Sequence, residues 1–373
     1  MDFRFTEEQQ LLRDTVWKFC RDHATLDERL RGLTPDQDNW SSLADLGLLA
    51  LPFSADVGGL GGGMIDVMVV MEEFGRALMI EPYLASIILA GGVLKRVPDA
   101  VRCADIIAPL MSGEKKYALA YYDDDNRFSL NGVNASACAS EGGYVVNGSK
   151  AVVLAGSVAD AFIVSARLEG ADGISLFFVP RDSDGVTLTP YRTVDGYEAA
   201  DVTFNNVAVP SDGLLGDPGA GLALLEPAMD DAIVALGAEA VGVMAFVNEA
   251  TVEYTRTRKQ FGVPISSFQV LQHRMVDMFV EREQTVSILY KAAMLADGGG
   301  HEARKAACAL KIQLGKACRL VGQQAVQLHG GMGIAEETPV AHYFKRLSVM
   351  CQQFGGADFH ARRYAELTRV AAA

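Results

Sequence analysis

The stretch that decides the fold is RKQFGVPISSFQVLQH, residues 258–273, a short polar break between two long segments of helical periodicity. Apolar residues recur at helical spacing through 222–257 before it and through 267–297 after it. Two more such segments follow, 303–328 and 337–352, with short connections. Long helices joined by short turns pack antiparallel, so a four-helix bundle is predicted at the C-terminal end.

Upstream of the bundle, from about residue 116 to residue 212, the pattern changes to short β-prone runs. Turn dipeptides separate these runs, and two of them, Asn131-Gly132 and Asn147-Gly148, are typical of β-hairpins. The stretch predicts a small antiparallel β domain of roughly a hundred residues, enough to hold its own core. The runs are 117–121, 144–146, 151–154, 162–165, 174–179 and 202–209.

The first third of the chain is predicted to be helical. Thr6 and Gln9 have the spacing of a capping box, and Val16 and Phe19 lie on one face of the helix that follows. The glycine-rich segment 55–63 is interpreted as a turn between helices, with a ligand loop as the alternative. The fold class is therefore α+β, in three domains: 1–115 helical, 116–212 antiparallel β, and 213–373 helical.

Composition excludes several classes of protein. Half of the 373 residues are hydrophobic, which indicates a globular core and not a disordered chain. The net charge of −14 disfavours binding along a nucleic-acid backbone, which requires a cationic face. No apolar run reaches the roughly 18 residues that span a bilayer, and residues 1–10 are polar. We expect a soluble, cytoplasmic protein with no membrane partner.

Scattered cysteines and histidines disfavour a metal enzyme. The six cysteines form no Cys-x-x-Cys pair, and the six histidines show no spacing that would place two of them on one helix face. Buried, reduced thiols are the favoured interpretation. We therefore expect no metal site.

Two segments of the last domain carry candidate chemistry. Arg258 and Gln260 place cationic and amide donors at a helix end, which suits a pyrophosphate. In QLHGGMG, residues 327–333, adjacent glycines let backbone N–H groups approach oxygens closely. Taken alone, each segment is also compatible with a helix end followed by a tight turn.

Together and in this order, the segments resemble the acyl-CoA dehydrogenase family over essentially the whole chain. The resemblance is closest to the small or accessory subunits of heteromeric members, such as the small subunit of pimeloyl-CoA dehydrogenase and the accessory chains of bacterial steroid side-chain dehydrogenases. It implies a helical N-terminal domain, a middle β domain and a C-terminal four-helix bundle. The motifs that carry it are FTEEQ (5–9), VTFNNVAVP (202–210), LG (215–216), GAG (219–221), residues 258–273, QQAVQLHGG (323–331) and HYFKR (342–346).

The resemblance implies FAD as cofactor and an acyl-CoA that is oxidised at its Cα–Cβ bond to the 2-enoyl-CoA, with an electron-transfer flavoprotein as acceptor. A glutamate takes the α-proton while the hydride passes to the flavin. Seven residues match positions that hold the ADP half of an FAD whose ring lies in a neighbouring chain: Arg258, Gln260, Phe261, Ile265, Gln327, Gly330 and Gly331.

The other half of the family's site is altered here. Where typical members have a Thr-Glu-Pro-Gly-like turn for the flavin ring, this chain has YYDDD, residues 121–125, and Trp-Ile-Thr is replaced by VVL, residues 152–154. The usual glutamate position falls at Gly355, and the alternative position falls at Ala232. The nearest remaining acids, Glu226, Asp230 and Asp231, are weak candidates for the base.

Three hypotheses remain. The first is an accessory subunit without a catalytic residue of its own, which donates ADP-side contacts to a homologous catalytic subunit in an α2β2 heterotetramer. The second is a self-sufficient homo-oligomeric dehydrogenase with a displaced base. The third is a flavin-free family member that acts as a scaffold or on another acyl-CoA reaction. Bulky or dicarboxylic acyl groups are the substrates that heteromeric relatives suggest.

Overall fold

A computed structural model describes residues 5–24, 37–123, 125 and 128–370. They group into two compact units. The first is built from the described parts of Met1–Gly32, Gly63–Met79 and Ile233–Ala373, and the second from those of Leu33–Gly62 and Ile80–Ala232. The three-domain boundaries after residues 115 and 212 stay predictions.

Two helices from the N-terminal part of the chain pack together in the first unit, α1 (Glu7–His23) and a helix at Met64–Ala77. The predicted capping box is confirmed, since Gln9 N donates to the Thr6 hydroxyl and Thr6 N donates to the Gln9 side chain. The face predicted from helical spacing is buried at Val16, Phe19 and Cys20. Arg13 also reaches the buried Glu73 carboxylate at 2.8 Å.

The second unit contains α2 (Gln37–Asp45). In chain order, the helix of the first unit at Met64–Ala77 is α3. A fully buried π-helix at Tyr83–Ala90 leads into α4 (Gly91–Leu94), and α5 (Ala100–Met111) follows.

The glycine-rich segment folds back on its own chain. A Cβ atom on Gly59 would lie 2.2 Å from the Phe53 carbonyl oxygen, and one on Gly62 would lie 2.7 Å from the Leu51 side chain. Glycine is required here because the backbone packs closely against these residues. This packing favours the turn interpretation over a ligand loop.

The described strands of the second unit form one eight-stranded sheet, with strand order β6-β7-β3-β2-β4-β5-β8 and β1 added beside β4. The pairs are antiparallel as predicted, except that β4 runs parallel to both β1 and β2. The strands are β1 (Tyr117–Ala120), β2 (Ser136–Ser140), β3 (Gly143–Leu154), β4 (Ala161–Leu168), β5 (Ser175–Pro180), β6 (Val186–Arg192), β7 (Glu198–Pro210) and β8 (Leu214–Leu215).

The hairpin predicted at Asn147-Gly148 is wrong. Both residues lie inside the single long strand β3, where the register to β7 shifts next to Gly148. Gly148 has φ 137°, and a Cβ atom there would lie 2.7 Å from Ala135. The glycine thus permits a bulge and close packing and does not form a turn.

The predicted bundle segments are confirmed as helices in the first unit: α6 (Gly221–Thr257, from Ile233 onward), α7 (Gln269–Ala296), α8 (Gly300–His329) and α9 (Pro339–Met350). A further helix, α10 (Ala357–Val370), packs on α8 and was not predicted. Arg346 on α9 forms a buried bidentate ion pair with Glu239 on α6, at 2.7 and 2.8 Å.

Among the described helices, none is long and apolar enough to cross a membrane. All six cysteines are free thiols, and five of them are buried. Within the described ranges, no three His, Cys, Asp or Glu side chains converge as a possible metal site.

Candidate cofactor site

A two-residue hairpin joins α6 to α7 and carries the first candidate residues. Strands β9 (Lys259–Gln260) and β10 (Val263–Pro264) pair antiparallel and turn through Phe261 and Gly262, whose φ values are 54° and 82°. Two positive φ angles in a two-residue loop define a type I′ turn, which Gly262 adopts freely and Phe261 adopts under strain. Phe261 is also 90% exposed. A large aromatic side chain that is exposed to solvent on a strained backbone indicates a surface that a ligand or a protein covers.

Arg258 lies between α6 and this hairpin. Its backbone N–H donates to Tyr254 O at 2.8 Å, and its carbonyl accepts from Ile265 N at 2.9 Å, so the backbone is held on both sides. The side chain is exposed, and its guanidinium makes no hydrogen bond or ion pair with any described residue. Gln260 is also exposed, with its side-chain amide on Lys259 O at 2.9 Å. The guanidinium is therefore available to an external anion.

The glycine segment follows the last residue of α8. Gly330 has φ 62° and donates its N–H to Gln327 O, and a short 3-10 helix, Gly330–Ile334, begins there. A Cβ atom on Gly330 or Gly331 would meet no atom within 4 Å, and Gln327 is exposed beside them. Because glycine has no side chain, the backbone at these two positions is open to solvent.

These residues fit the ADP half of an FAD. All seven predicted positions lie in the first unit, and they combine an unpaired guanidinium, exposed amides and an uncovered glycine backbone. Such donors suit a pyrophosphate, which accepts charge-assisted hydrogen bonds from arginine and from backbone N–H groups. Ile265 is half-buried in the short 3-10 helix Ile265–Ser267 and supplies apolar surface.

The positions that hold the flavin ring in the family are occupied differently. Val152 has φ 50°, and its N–H donates to Tyr191 Oη at 3.1 Å and to Asp201 Oδ1 at 3.0 Å. The Tyr191 hydroxyl donates to the same carboxylate oxygen at 2.8 Å. Burial, followed by this carboxylate, raises the pKa of Tyr191 to about 12. The amide that could serve a ligand is therefore used within the chain, and Leu154 offers no hydroxyl.

The YYDDD segment is also engaged internally. Asp123 pairs with Lys150 at 2.6 Å, and the Lys150 ammonium donates to Ser165 Oγ at 3.0 Å. Both charged side chains are buried, and burial lowers the pKa of Lys150 while Asp123 raises it. Asp124 of this segment lies outside the described residues. The buried Asp123–Lys150 ion pair thus occupies the position of the turn that holds the flavin ring in the family. The sequence analysis did not predict this ion pair.

Neither base position carries a carboxylate, and the space beside one of them is filled. Gly355 has φ 109°, and a Cβ atom there would lie 2.8 Å from Phe359 Cδ1 and 2.9 Å from His360 Nε2. Ala232 is fully buried. His360 therefore fills the space into which a side chain at Gly355 would project.

The three candidate acids are not free bases. Asp231 is buried and bound by Arg96 at 2.7 Å and by Lys95 at 3.5 Å. The Asp231 carboxylate is therefore already engaged by two cationic side chains of its own chain. Asp230 is buried and Glu226 is half-buried, each with partners of its own in the chain.

Replacing Val152 with glycine should stabilise the protein. A β-branched residue at φ 50° is strained, and glycine adopts that angle freely, although it adds entropy to the unfolded chain. We expect the free energy of unfolding to rise by up to about 1 kcal/mol, measured by urea denaturation. Val145→Gly, in the same strand, is the control and should destabilise. A loss of stability in V152G would contradict the strain.

His360 should make stability depend on pH. Burial is the main cause that lowers the pKa of His360 to about 4, below its ordinary value of 6.5, so the unfolded chain binds the proton more readily. This contribution is complete above pH 6.5 and is lost as pH falls toward 4. Between pH 6.5 and 5.5, the free energy of unfolding should fall by about 1 kcal/mol more in the wild type than in H360L. Equal losses in the two proteins would refute this.

Comparisons with known proteins identify the family of the chain. Three family models match: the acyl-CoA dehydrogenase N-terminal domain at residues 6–114, the middle domain at 118–207 and the C-terminal domain at 219–366. A probable acyl-CoA dehydrogenase of Bacillus subtilis, YngJ, is 31% identical over 94% of this chain and 95% of its own length.

Two solved structures are similar over 98% of this chain. The ChsE4-ChsE5 complex from Mycobacterium tuberculosis matches with TM-score 0.89 and 26% identity over 98% of that chain. A variant of the Tcur3481-Tcur3483 steroid ACAD matches with TM-score 0.88 and 27% identity over 99% of that chain. The three family models and the 31% identical Bacillus subtilis relative show that the chain belongs to the acyl-CoA dehydrogenase family.

Proposed function

We propose that this chain is the accessory subunit of a heteromeric acyl-CoA dehydrogenase. The chain is part of an oxidoreductase that acts on acyl-CoA, and its cofactor is FAD. In the proposed complex, this chain donates the ADP-side contacts, and a homologous subunit supplies the flavin pocket and the glutamate. The arrangement is an α2β2 heterotetramer.

One contrast within the chain carries the proposal. The Arg258 guanidinium is exposed and unpaired among the described residues, and the turn at Gly330 and Gly331 is open to solvent. By contrast, the space beside Gly355 is closed by His360 and the Val152 amide is already bonded. A self-sufficient enzyme needs both halves of the site. Only the half that would serve a neighbouring subunit's FAD is retained.

An exposed apolar surface supports a partner chain. Besides Phe261, helix α7 presents large apolar side chains to solvent in this unit, and buried core residues of the same helix face the other way. Several large apolar side chains exposed along one helix are typical of a surface that another chain covers. These side chains are Val270, Val276, Phe279 and Val280, exposed by 62, 57, 55 and 42%.

The chemistry divides between the two subunits. FAD, when bound, accepts the hydride that leaves Cβ of the acyl-CoA. In this chain, Arg258 and the Gly330–Gly331 backbone bind and orient the ADP moiety. The three candidate acids already have partners within the chain, so the partner subunit supplies the base. An electron-transfer flavoprotein then reoxidises the complex. For the acyl group we propose a bulky or dicarboxylic chain, for which steroid side chains are the first test.

The proposal is tested by purifying the full chain alone and together with an acyl-CoA dehydrogenase homologue encoded beside it. We expect flavin absorbance and acyl-CoA oxidation only in the mixed complex, at one FAD per pair of chains, with a native mass that fits four subunits. A yellow, active preparation of the chain alone would overturn the proposal. In that case Asp231→Asn, which should leave turnover of the mixed complex within about twofold, becomes the test of a displaced base.

A further inference from the structure

The two sides of the ADP site are on different helices, and one aromatic pair joins them. Arg258 follows the end of α6, and Gly330 follows the end of α8. The ring of Tyr254, in the last turn of α6, stacks on the ring of His329, the last residue of α8, with centroids 4.3 Å apart and planes at 26°. Arg258 and Gly330 thus each lie within a few residues of this stacked pair.

Hydrogen bonds fix the pair on each side. Tyr254 O accepts from Arg258 N at 2.8 Å, and the Tyr254 hydroxyl donates to His329 O at 3.3 Å. The His329 carbonyl belongs to the end of α8, where carbonyls lack a partner within the helix, so the phenol serves as a cap. The next residue, Gly330, starts the open turn. Tyr254 is thus bonded through its main chain to Arg258 and through its side chain to the residue before Gly330.

The state of the imidazole suits this role. His329 Nδ1 lies 2.8 Å from Ala325 O, so Nδ1 carries the hydrogen and donates to that carbonyl. His329 is buried, and burial lowers its pKa, which keeps the ring neutral at pH 7. A neutral ring held by its own helix is a rigid platform for stacking.

We propose that Tyr254 and His329 are a positioning pair that sets the spacing between the Arg258 guanidinium and the Gly330–Gly331 backbone, so that both reach one pyrophosphate. The inference rests on the proposed function, since it assumes that these donors bind the ADP moiety of FAD. It adds two residues that touch no phosphate themselves. Their effect is on ligands that span both donors.

The test compares ADP with AMP, because only ADP presents two phosphates to the two sides of the site. Affinities are measured by calorimetry on the mixed complex of this chain and its partner subunit, after the flavin has been removed. We expect Y254L to weaken ADP at least tenfold and AMP by no more than threefold. Y254F keeps the stack and loses only the cap, so its loss for ADP should be about threefold. H329F keeps an aromatic platform and should bind better than H329L.

Controls separate the pair from the site. Tyr364→Leu, on α10, removes another part-exposed tyrosine of the same unit and should change neither ligand. Equal weakening of ADP and AMP by Y254L, or unchanged ADP binding, would overturn the positioning role. If the wild type binds ADP and R258A weakens it while Y254L does not, only the pair is refuted. If the wild-type mixed complex, stripped of its flavin, binds neither ADP nor FAD, the proposed function fails as well.

Discussion

Arg258→Ala should lower the FAD affinity of the complex by about 10- to 150-fold. The guanidinium has no partner among the described residues, so its donors are available to the pyrophosphate. A charge-assisted hydrogen bond of this kind contributes about 1.5–3 kcal/mol, which corresponds to that range of affinity. The measurement is FAD retention on dilution, followed by flavin absorbance, and then a direct titration of the apo complex.

Arg256→Ala is the matched control for this experiment. Arg256 is an exposed arginine in the last turn of the same helix, so both variants remove one positive charge from the same helix end. We expect R256A to retain its flavin. Equal flavin loss in R256A and R258A would show that the effect comes from the lost positive charge and not from a specific contact. Unchanged flavin content in R258A would show that Arg258 does not bind the cofactor.

Gly355→Glu should destabilise the chain by about 2–6 kcal/mol and should not create activity. The backbone at Gly355 has φ 109°, where a residue with a side chain is strained by about 1–3 kcal/mol. The added Cβ would also lie 2.9 Å from His360 Nε2, and overpacking of this kind costs about 1–3 kcal/mol more. Thermal and urea unfolding measure the loss, and acyl-CoA oxidation by the chain alone measures any gain.

A second substitution and a control make this prediction specific. Gly298→Glu adds the same side chain at an exposed position with only the Leu295 carbonyl nearby, at 3.6 Å, and should cost little. Adding H360A to G355E removes the steric contact and leaves the backbone strain, so part of the stability should return. A stable G355E variant that oxidises acyl-CoA unaided would show that the base position is open.

Some features of this protein follow from local sequence alone. Helical periodicity located α6 to α9, the Thr6 capping box located the start of α1, and alternating runs located the β domain. These signals are readable because each arises between residues a few positions apart. The Phe261-Gly262 turn belongs to the same class, since its chemistry depends on two adjacent residues.

The sequence also predicted an ADP-side half of the cofactor site, because Arg258, Gln327 and the glycines stand in recognisable motifs. It did not reveal why the other half is closed. The hairpin expected at Asn147-Gly148 failed for a related reason, since the pairing of β3 with β7 overrode a strong local turn signal.

Sequence by itself determined the order of helical and β segments, the family and the residues that could face a pyrophosphate. Tertiary structure alone decided that His360 closes the space beside Gly355, that Asp201 takes the Val152 amide and that Tyr254 caps the end of α8. The last two contacts join residues 49 and 75 positions apart. Local patterns carry no information about such partners, because they meet only when separate elements pack.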